Sequence, residues 1–319
     1  MALDPQVRPL VDQMNALLDH VGRDWTDPDV VRARTRAPVK PIEDRFPVAS
    51  VADRAIPARD GHAIPIRVYK HGTGTLGVIV FFHGGGWVTG DLDSHDDICR
   101  RLAVGTGCVV VAVDYRRAPE HPFPKPLHDA ADAISWVATA SEFGGGRRRI
   151  VVAGDSSGGN LAAAAAILAR DQGGPEIVLQ VLVYPVLDGR MAASSYNENA
   201  EGFVLTARLM KWYWDQYAPG CVREDVLASP LRQPDLSWLP PALIVTADLD
   251  PLRGEGMEYA ARLRAAGVEV TITNYLGAFH GFLGYGALMS VARDAFADVV
   301  SFIVKYMEAT ALDTDSRSP

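Results

Sequence analysis

Residues 150–170 constrain this chain most. The apolar run Ile150-Val151-Val152-Ala153 leads directly into Gly154-Asp155-Ser156-Ser157-Gly158-Gly159-Asn160, and an alanine-rich stretch follows to Arg170. A β-branched run, then G-x-S-x-G, then good helix formers reads as strand, abrupt turn and helix. Such a turn strains the serine backbone, and side chains at 154 and 158 would collide with the neighbouring strand and helix. Ser156 is therefore the candidate nucleophile. The helix behind it aims its N-terminal dipole and free N–H groups at any negative charge developing there. Alone, G-x-S-x-G also fits a helix N-cap serine after a glycine turn. The rest of the chain decides between the two.

Strand and helix patterns alternate along most of the sequence. Residues 46–69 form short alternating runs around Asp60-Gly61, which reads as an edge hairpin. Gly72-Thr73-Gly74-Thr75-Leu76-Gly77 satisfies G-x-G-x-x-G but precedes a strand, whereas a dinucleotide fingerprint follows one, so it reads as a hairpin loop. Val78-Ile79-Val80-Phe81-Phe82 then runs into His83-Gly84-Gly85-Gly86-Trp87. Three consecutive glycines at a strand end let backbone N–H groups face a cavity unobstructed, as an oxyanion hole requires. Further strands are expected at 109–113, 177–184, 242–247 and 268–275, with helices at 96–105, 127–141, 253–266 and 290–308. This alternation predicts an α/β fold, a mostly parallel sheet with helices on both faces.

Composition narrows the function classes. The chain has 319 residues, 31 basic and 39 acidic, for a net charge of −8, which disfavours nucleic acid and anionic membrane as partners. The arginines 147–149 read as a solvated loop. Cys99, Cys108 and Cys221 are odd in number and form no C-x-x-C spacing, so neither a disulfide framework nor a zinc site is expected. Residues 1–20 carry scattered charge and no continuous apolar core, unlike a signal peptide. No apolar run approaches the ~20 residues of a membrane span. The expectation is a cytoplasmic protein without metal or cofactor.

Two segments interrupt the alternation. Residues 1–45 carry Val7, Leu10, Val11, Met14, Leu17 and Leu18 at helical steps, so one apolar face covers something. Residues 187–225 contain Asp188, Ser194 and Ser195, then a helix beginning near Thr206 with Leu209, Met210, Trp212, Tyr213, Trp214 and Tyr217. This apolar bulk packs on the core or walls a pocket. The expected organisation is a helical segment at 1–45, core at 46–186, an insertion at 187–225, core again at 226–310, and a disordered tail at 311–319.

Ser156, Asp250 and His280 occur in that order, each on a loop after an expected strand. In a parallel sheet such loops share one edge, so the three can converge. Among eight histidines, His280 stands out by lying between Phe279 and Gly281 near the C-terminus. Asp248 competes with Asp250 on geometry, but Pro251 fixes Asp250 at the turn.

Together, His83-Gly84-Gly85-Gly86-Trp87, Asp114-Tyr115-Arg116 with the proline loop 118–124, Gly154-Asp155-Ser156, Asp250-Pro251-Leu252-Arg253 and Phe279-His280-Gly281-Phe282 resemble the hormone-sensitive-lipase family of α/β-hydrolase esterases over residues 46–308. The resemblance implies the α/β-hydrolase fold and a Ser156, His280, Asp250 triad. It also implies an oxyanion hole from backbone N–H groups of Gly84, Gly85, Gly86 and Ser157, and a cap from residues 1–45 and 187–225. It implies hydrolysis of carboxylic esters, with a small-molecule ester as partner. Short- to medium-chain esters are expected because no long apolar surface helix of an interfacial lid is evident and the net charge of −8 gives no attraction to anionic interfaces; a homodimer is a candidate assembly. The chain departs from the family pattern at Ser157 (usually alanine), Arg117 (usually leucine) and Gly254 (usually aspartate). An amidase or formamidase would use the same triad, and a ligand receptor on this scaffold would keep the elbow and lose the histidine.

Overall fold

The computed structural model describes residues 3, 7–21, 27–36, 41–72, 74–143 and 148–315. One eight-stranded sheet runs in the order β1-β2-β4-β3-β5-β6-β7-β8. The strands are β1 (Ser50–Pro57), β2 (Ala63–Lys70), β3 (Val78–Phe82), β4 (Val109–Val113), β5 (Ile150–Asp155), β6 (Ile177–Val183), β7 (Ala242–Leu249) and β8 (Val270–Phe279). β2 lies antiparallel to both β1 and β4, and all other neighbours are parallel. β3, β4, β5 and β7 are buried at every position, as parallel strands covered on both faces must be.

Successive strand residues feed two separate cores. Val80, Phe82, Val111, Val113 and Val152 pack with α4 (Lys125–Thr139), α5 (Ser157–Gln172) and α8 (Arg253–Ala265) on one face. Ile79, Phe81, Val110, Val151 and Ala153 pack with α3 (Asp96–Thr106) and α9 (Ser290–Asp315) on the other. Five consecutive buried alanines, residues 162–166 of α5, let that helix lie close to the sheet.

Each segment expected to interrupt the core carries helices among its described residues. At the N-terminus are α1 (Arg8–Val21) and α2 (Pro28–Thr35), with Val7 and Val11 buried in the second core. The side chains of Leu17 and Leu18 lie outside the described residues. Within 187–225 are α6 (Ser195–Glu198) and α7 (Ala207–Tyr217). Thr206 caps α7 by accepting the Leu209 N–H (3.0 Å).

Three expectations need correction. The loop at 72–77 is not a hairpin, because the partner of β2 is β4, and the loop carries the chain past that strand to β3. The fully apolar β4 bonds on both edges, so it is inserted between them. The disordered tail expected from residue 311 does not hold for 311–315, where α9 continues to Asp315; residues 316–319 lie outside the described set. The arginine loop is not simply solvated. Arg148 donates to Val137 O (3.0 Å) and Arg149 to Met307 O (2.5 Å), while Arg147 is outside the described residues. Among the described residues, no helix is long and apolar enough to cross a membrane.

Candidate active site

Ser156 stands between β5 and α5 at φ 54°, ψ −119°, outside the regions that L-residues favour. Its N–H donates to Val183 O on β6 (2.8 Å), which holds the strained turn to the sheet. A Cβ at Gly158 would run into the Phe82 carbonyl, and one at Gly154 into the Gly158 backbone. Both elbow glycines are thus required by close approach, as the sequence predicts.

β8 ends at Phe279 and delivers His280, after which Gly281 turns the chain at φ +82°. His280 Nε2 lies 2.9 Å from Ser156 Oγ, and its Nδ1 lies 2.7 Å from Asp250 Oδ2. Asp250 is fully buried, and its Oδ1 accepts the Leu252 N–H (2.8 Å). Carboxylate, imidazole and hydroxyl therefore form one continuous chain. With Nδ1–H donated to the carboxylate, Nε2 is free to accept the serine proton. The Tyr184 ring packs against the imidazole with centroids 4.9 Å apart, and the Tyr184 backbone sits at φ 35°.

The acid loop is tied down from the 187–225 segment. Ser195 Oγ donates to Pro251 O (2.5 Å) and accepts the Gly254 N–H (3.0 Å). Asn199 Nδ2 donates to the carbonyls of Asp248 and Asp250 (3.2 Å each). Gly254, the residue that departs from the family pattern, lies against Ala193, where a Cβ would come within 2.7 Å of the alanine methyl. Nothing in the local sequence pattern marked Ser195 or Asn199, which read there as ordinary loop polar residues.

The glycine loop after β3 lies across the elbow. Gly85 and Gly86 adopt φ +119° and +59°, a conformation that favours glycine. The expectation that Gly84 contributes an oxyanion donor is corrected, because its N–H is taken by Asp155 Oδ1 (2.9 Å). Among the described residues, the N–H groups of Gly85 and Gly86 make no such internal bond. Ser157 opens α5, so its N–H is one of the helix's unpaired terminal donors. Its side-chain oxygen is buried beside the Tyr115 hydroxyl.

Aromatic residues of α7 back this loop. Trp87 stacks on Tyr217 (4.0 Å, 5°) and meets Trp214 (4.8 Å), and a Cβ at Gly86 would strike the Tyr213 ring. On the other side Tyr115 OH donates to His83 O (2.8 Å), and its ring stacks on the His83 imidazole. Arg117 donates to Gly90 O, so this departure from the family pattern also braces the loop.

A protein-family profile for the alpha/beta hydrolase fold matches residues 79–284. That span is more than half of the chain, and it contains the elbow, the glycine loop and the ends of β7 and β8. This chain belongs to the alpha/beta-hydrolase family, in its hormone-sensitive-lipase esterase branch. The hydrolase is 40% identical over 299 residues to carboxylesterase NlhH of Mycobacterium tuberculosis, spanning 90% of this chain and 93% of the relative. It is 39% identical over 303 residues to esterase LipI of the same organism, spanning 92% of each. Its structure matches that of a hyperthermophilic esterase from the archaeon Pyrobaculum calidifontis with a TM-score of 0.85 and 39% identity, covering 96% of this chain and 99% of that one.

Proposed function

We propose that this hydrolase is a serine carboxylesterase that cleaves short- to medium-chain carboxylic esters through an acyl-enzyme. The observation that carries the reading is the unbroken contact from Asp250 through His280 to Ser156 Oγ, at 2.7 and 2.9 Å. Ser156 attacks the ester carbonyl while His280 Nε2 takes its proton. Asp250 holds the Nδ1–H tautomer and balances the imidazolium charge. The N–H groups of Gly85, Gly86 and Ser157 receive the developing oxyanion, helped by the N-terminal dipole of α5. His280 then protonates the leaving alcohol, and water repeats the sequence to release the acid.

Residues 1–45 and 187–225 act as a cap on a core formed by 46–186 and 226–310. Support comes from contacts between the two cap segments: Asn15 Nδ2 donates to Gly202 O (2.8 Å) and Asn15 Oδ1 accepts the Val204 N–H (3.0 Å). The preference for small acyl groups is supported by how closed the site is. Ser156 is only 7% exposed and the His280 side chain 12%. Cys99, Cys108 and Cys221 are all free thiols, which suits a reducing cytoplasm, and there we place the protein.

A panel of p-nitrophenyl esters from acetate to palmitate, with matched anilides and a fluorophosphonate label, tests the reading. Turnover highest at two to about eight carbons, with Ser156 labelled, is the expected result. Faster cleavage of anilides than of esters makes the enzyme an amidase. No turnover and no labelling makes the scaffold a receptor.

A further inference from the structure

Beneath the glycine loop lies a polar cluster that the proposed chemistry leaves unused. Asp155, buried beside the nucleophile, directs Oδ1 at both the Gly84 N–H (2.9 Å) and His95 Nε2 (3.1 Å). His95 precedes α3 and is joined through Nδ1 to Ser94 Oγ (2.9 Å). Ser94 Oγ also lies 2.8 Å from Asp91 O and accepts the Asp91 N–H (2.9 Å). Nε2 faces the Asp155 carboxylate and donates to it, a contact that favours the charged imidazolium.

Electrostatics favour the same charged form. Burial pulls the His95 pKa down, but the Asp155 carboxylate, with Asp91 behind it, outweighs burial and leaves it raised. Burial pushes Asp155 up, yet His95, then His83 and the Gly84 N–H, bring it below the usual carboxylate range. Both shifts favour an ionised pair in the interior, one residue from Ser156. An unneutralised carboxylate at that point would oppose the negative charge of the tetrahedral intermediate, and in a buried site little water would screen it.

We infer that His95 is a positioning residue for ester hydrolysis: it neutralises Asp155 and keeps that carboxylate on the Gly84 N–H, fixing the loop that presents Gly85 and Gly86 to the oxyanion. The inference rests on the esterase reading above. The role differs from simple scaffolding because it predicts that removing the charge of Asp155 compensates for losing His95. In Asp155→Asn the amide oxygen still accepts the Gly84 N–H and no charge is left to neutralise.

The experiment compares wild type, His95→Ala, Asp155→Asn and the double variant. It measures kcat and KM on p-nitrophenyl butyrate, affinity for an aliphatic trifluoromethyl ketone whose serine adduct carries an oxyanion, and Tm. His95→Ala is expected to lower kcat and ketone affinity by about 10- to 100-fold, with KM changed less than about threefold. Adding Asp155→Asn to His95→Ala is expected to restore kcat by about fivefold or more, whereas two merely structural losses would add. Should His95→Ala not fold, His95→Gln with and without Asp155→Asn gives the same comparison. A kcat and ketone affinity within about twofold of wild type in the single variant, or no recovery in the double, overturns the inference. A wild type inert to both ester and fluorophosphonate overturns the esterase reading and this inference with it.

Discussion

Asp248 and Asp250 leave the same strand end, two residues apart, yet have different partners. Asp250 Oδ2 lies 2.7 Å from His280 Nδ1, whereas Asp248 Oδ1 lies 3.3 Å from the Arg253 guanidinium. The difference follows from the turn. Asp250 is drawn inward by the Leu252 N–H on its other oxygen, and Asn199 fixes both backbone carbonyls. Asp250→Asn should lower kcat by about 10³- to 10⁴-fold, because an amide no longer holds the required imidazole tautomer. Asp248→Asn should cost less than about tenfold, since it loses only a partly exposed ion pair. Steady-state kinetics on both variants, with circular dichroism, checks the assignment; a large loss at 248 and a small one at 250 reverses it.

Ser156→Ala should remove turnover by about 10⁴-fold or more while the protein stays folded. Ser156 Oγ has His280 as its side-chain partner, and the turn itself is held by backbone, the Ser156 N–H on Val183 O. Alanine meets the same positive φ as serine, so Tm should move by only a few degrees. Esterase activity near wild type in pure, folded Ser156→Ala would remove the serine from the mechanism.

Glu255 gives the enzyme a pH-dependent stability separate from catalysis. Burial pushes its carboxyl up to about 8, although the N–H groups of Leu187 (2.5 Å) and Asp188 (3.0 Å) bond to it and the Tyr196 hydroxyl is close by. In the unfolded chain the group titrates near 4.5. Below that pH both states hold the proton and the contribution is complete. As pH rises towards 8 the unfolded state releases its proton and the folded state keeps it, so stability declines by up to about 1.4 kcal/mol per pH unit. Glu255→Gln keeps an acceptor for both N–H groups and cannot ionise. Its Tm should exceed that of wild type at pH 8.5 and converge with it near pH 4.5, as differential scanning calorimetry would read. Parallel curves for the two proteins across that range would refute the ionisation.

Much of this site was legible in the chain because the chemistry restricts residue type and order. A strained serine turn demands glycines at 154 and 158, and β-branched runs announce the strands that carry Ser156, Asp250 and His280 to one edge. Neighbour relations were not legible. Periodicity identifies β2, β3 and β4 but not that β4 lies between the other two, so the loop at 72–77 reads as a hairpin. Asp155 and His95 are 60 residues apart in sequence and meet because β3 and β5 pair in register, Phe82 opposite Gly154. The same register brings the Gly84 N–H to Asp155 and removes it from the oxyanion donors. Ser195 and Asn199 look like any turn residues until the segment carrying them folds onto the acid loop.

The N-terminal segment has its own anchor in Arg32. From α2 its guanidinium donates to Val88 O (2.9 Å) and Ala118 O (2.8 Å), and it binds both oxygens of Glu120 (2.8 and 2.6 Å). That hydrogen-bonded fork draws the Glu120 carboxyl down to about 2. Val88 directly follows Trp87, so one side chain joins the N-terminal segment to the end of the glycine loop. A planar fork with several bonds is needed for such a joint, and lysine cannot replace it. Arg32→Ala and Arg32→Lys should both free α2 and expose residues 27–36 to trypsin. If α2 closes the acyl side of the site, KM for p-nitrophenyl hexanoate should rise about threefold or more, while kcat on the acetate stays within about twofold. The difference between substrates separates a cap from a mere stabiliser, because a lower Tm alone would weaken hydrolysis of both esters alike. Equal changes in the kinetic constants for acetate and hexanoate would therefore place α2 outside the acyl site.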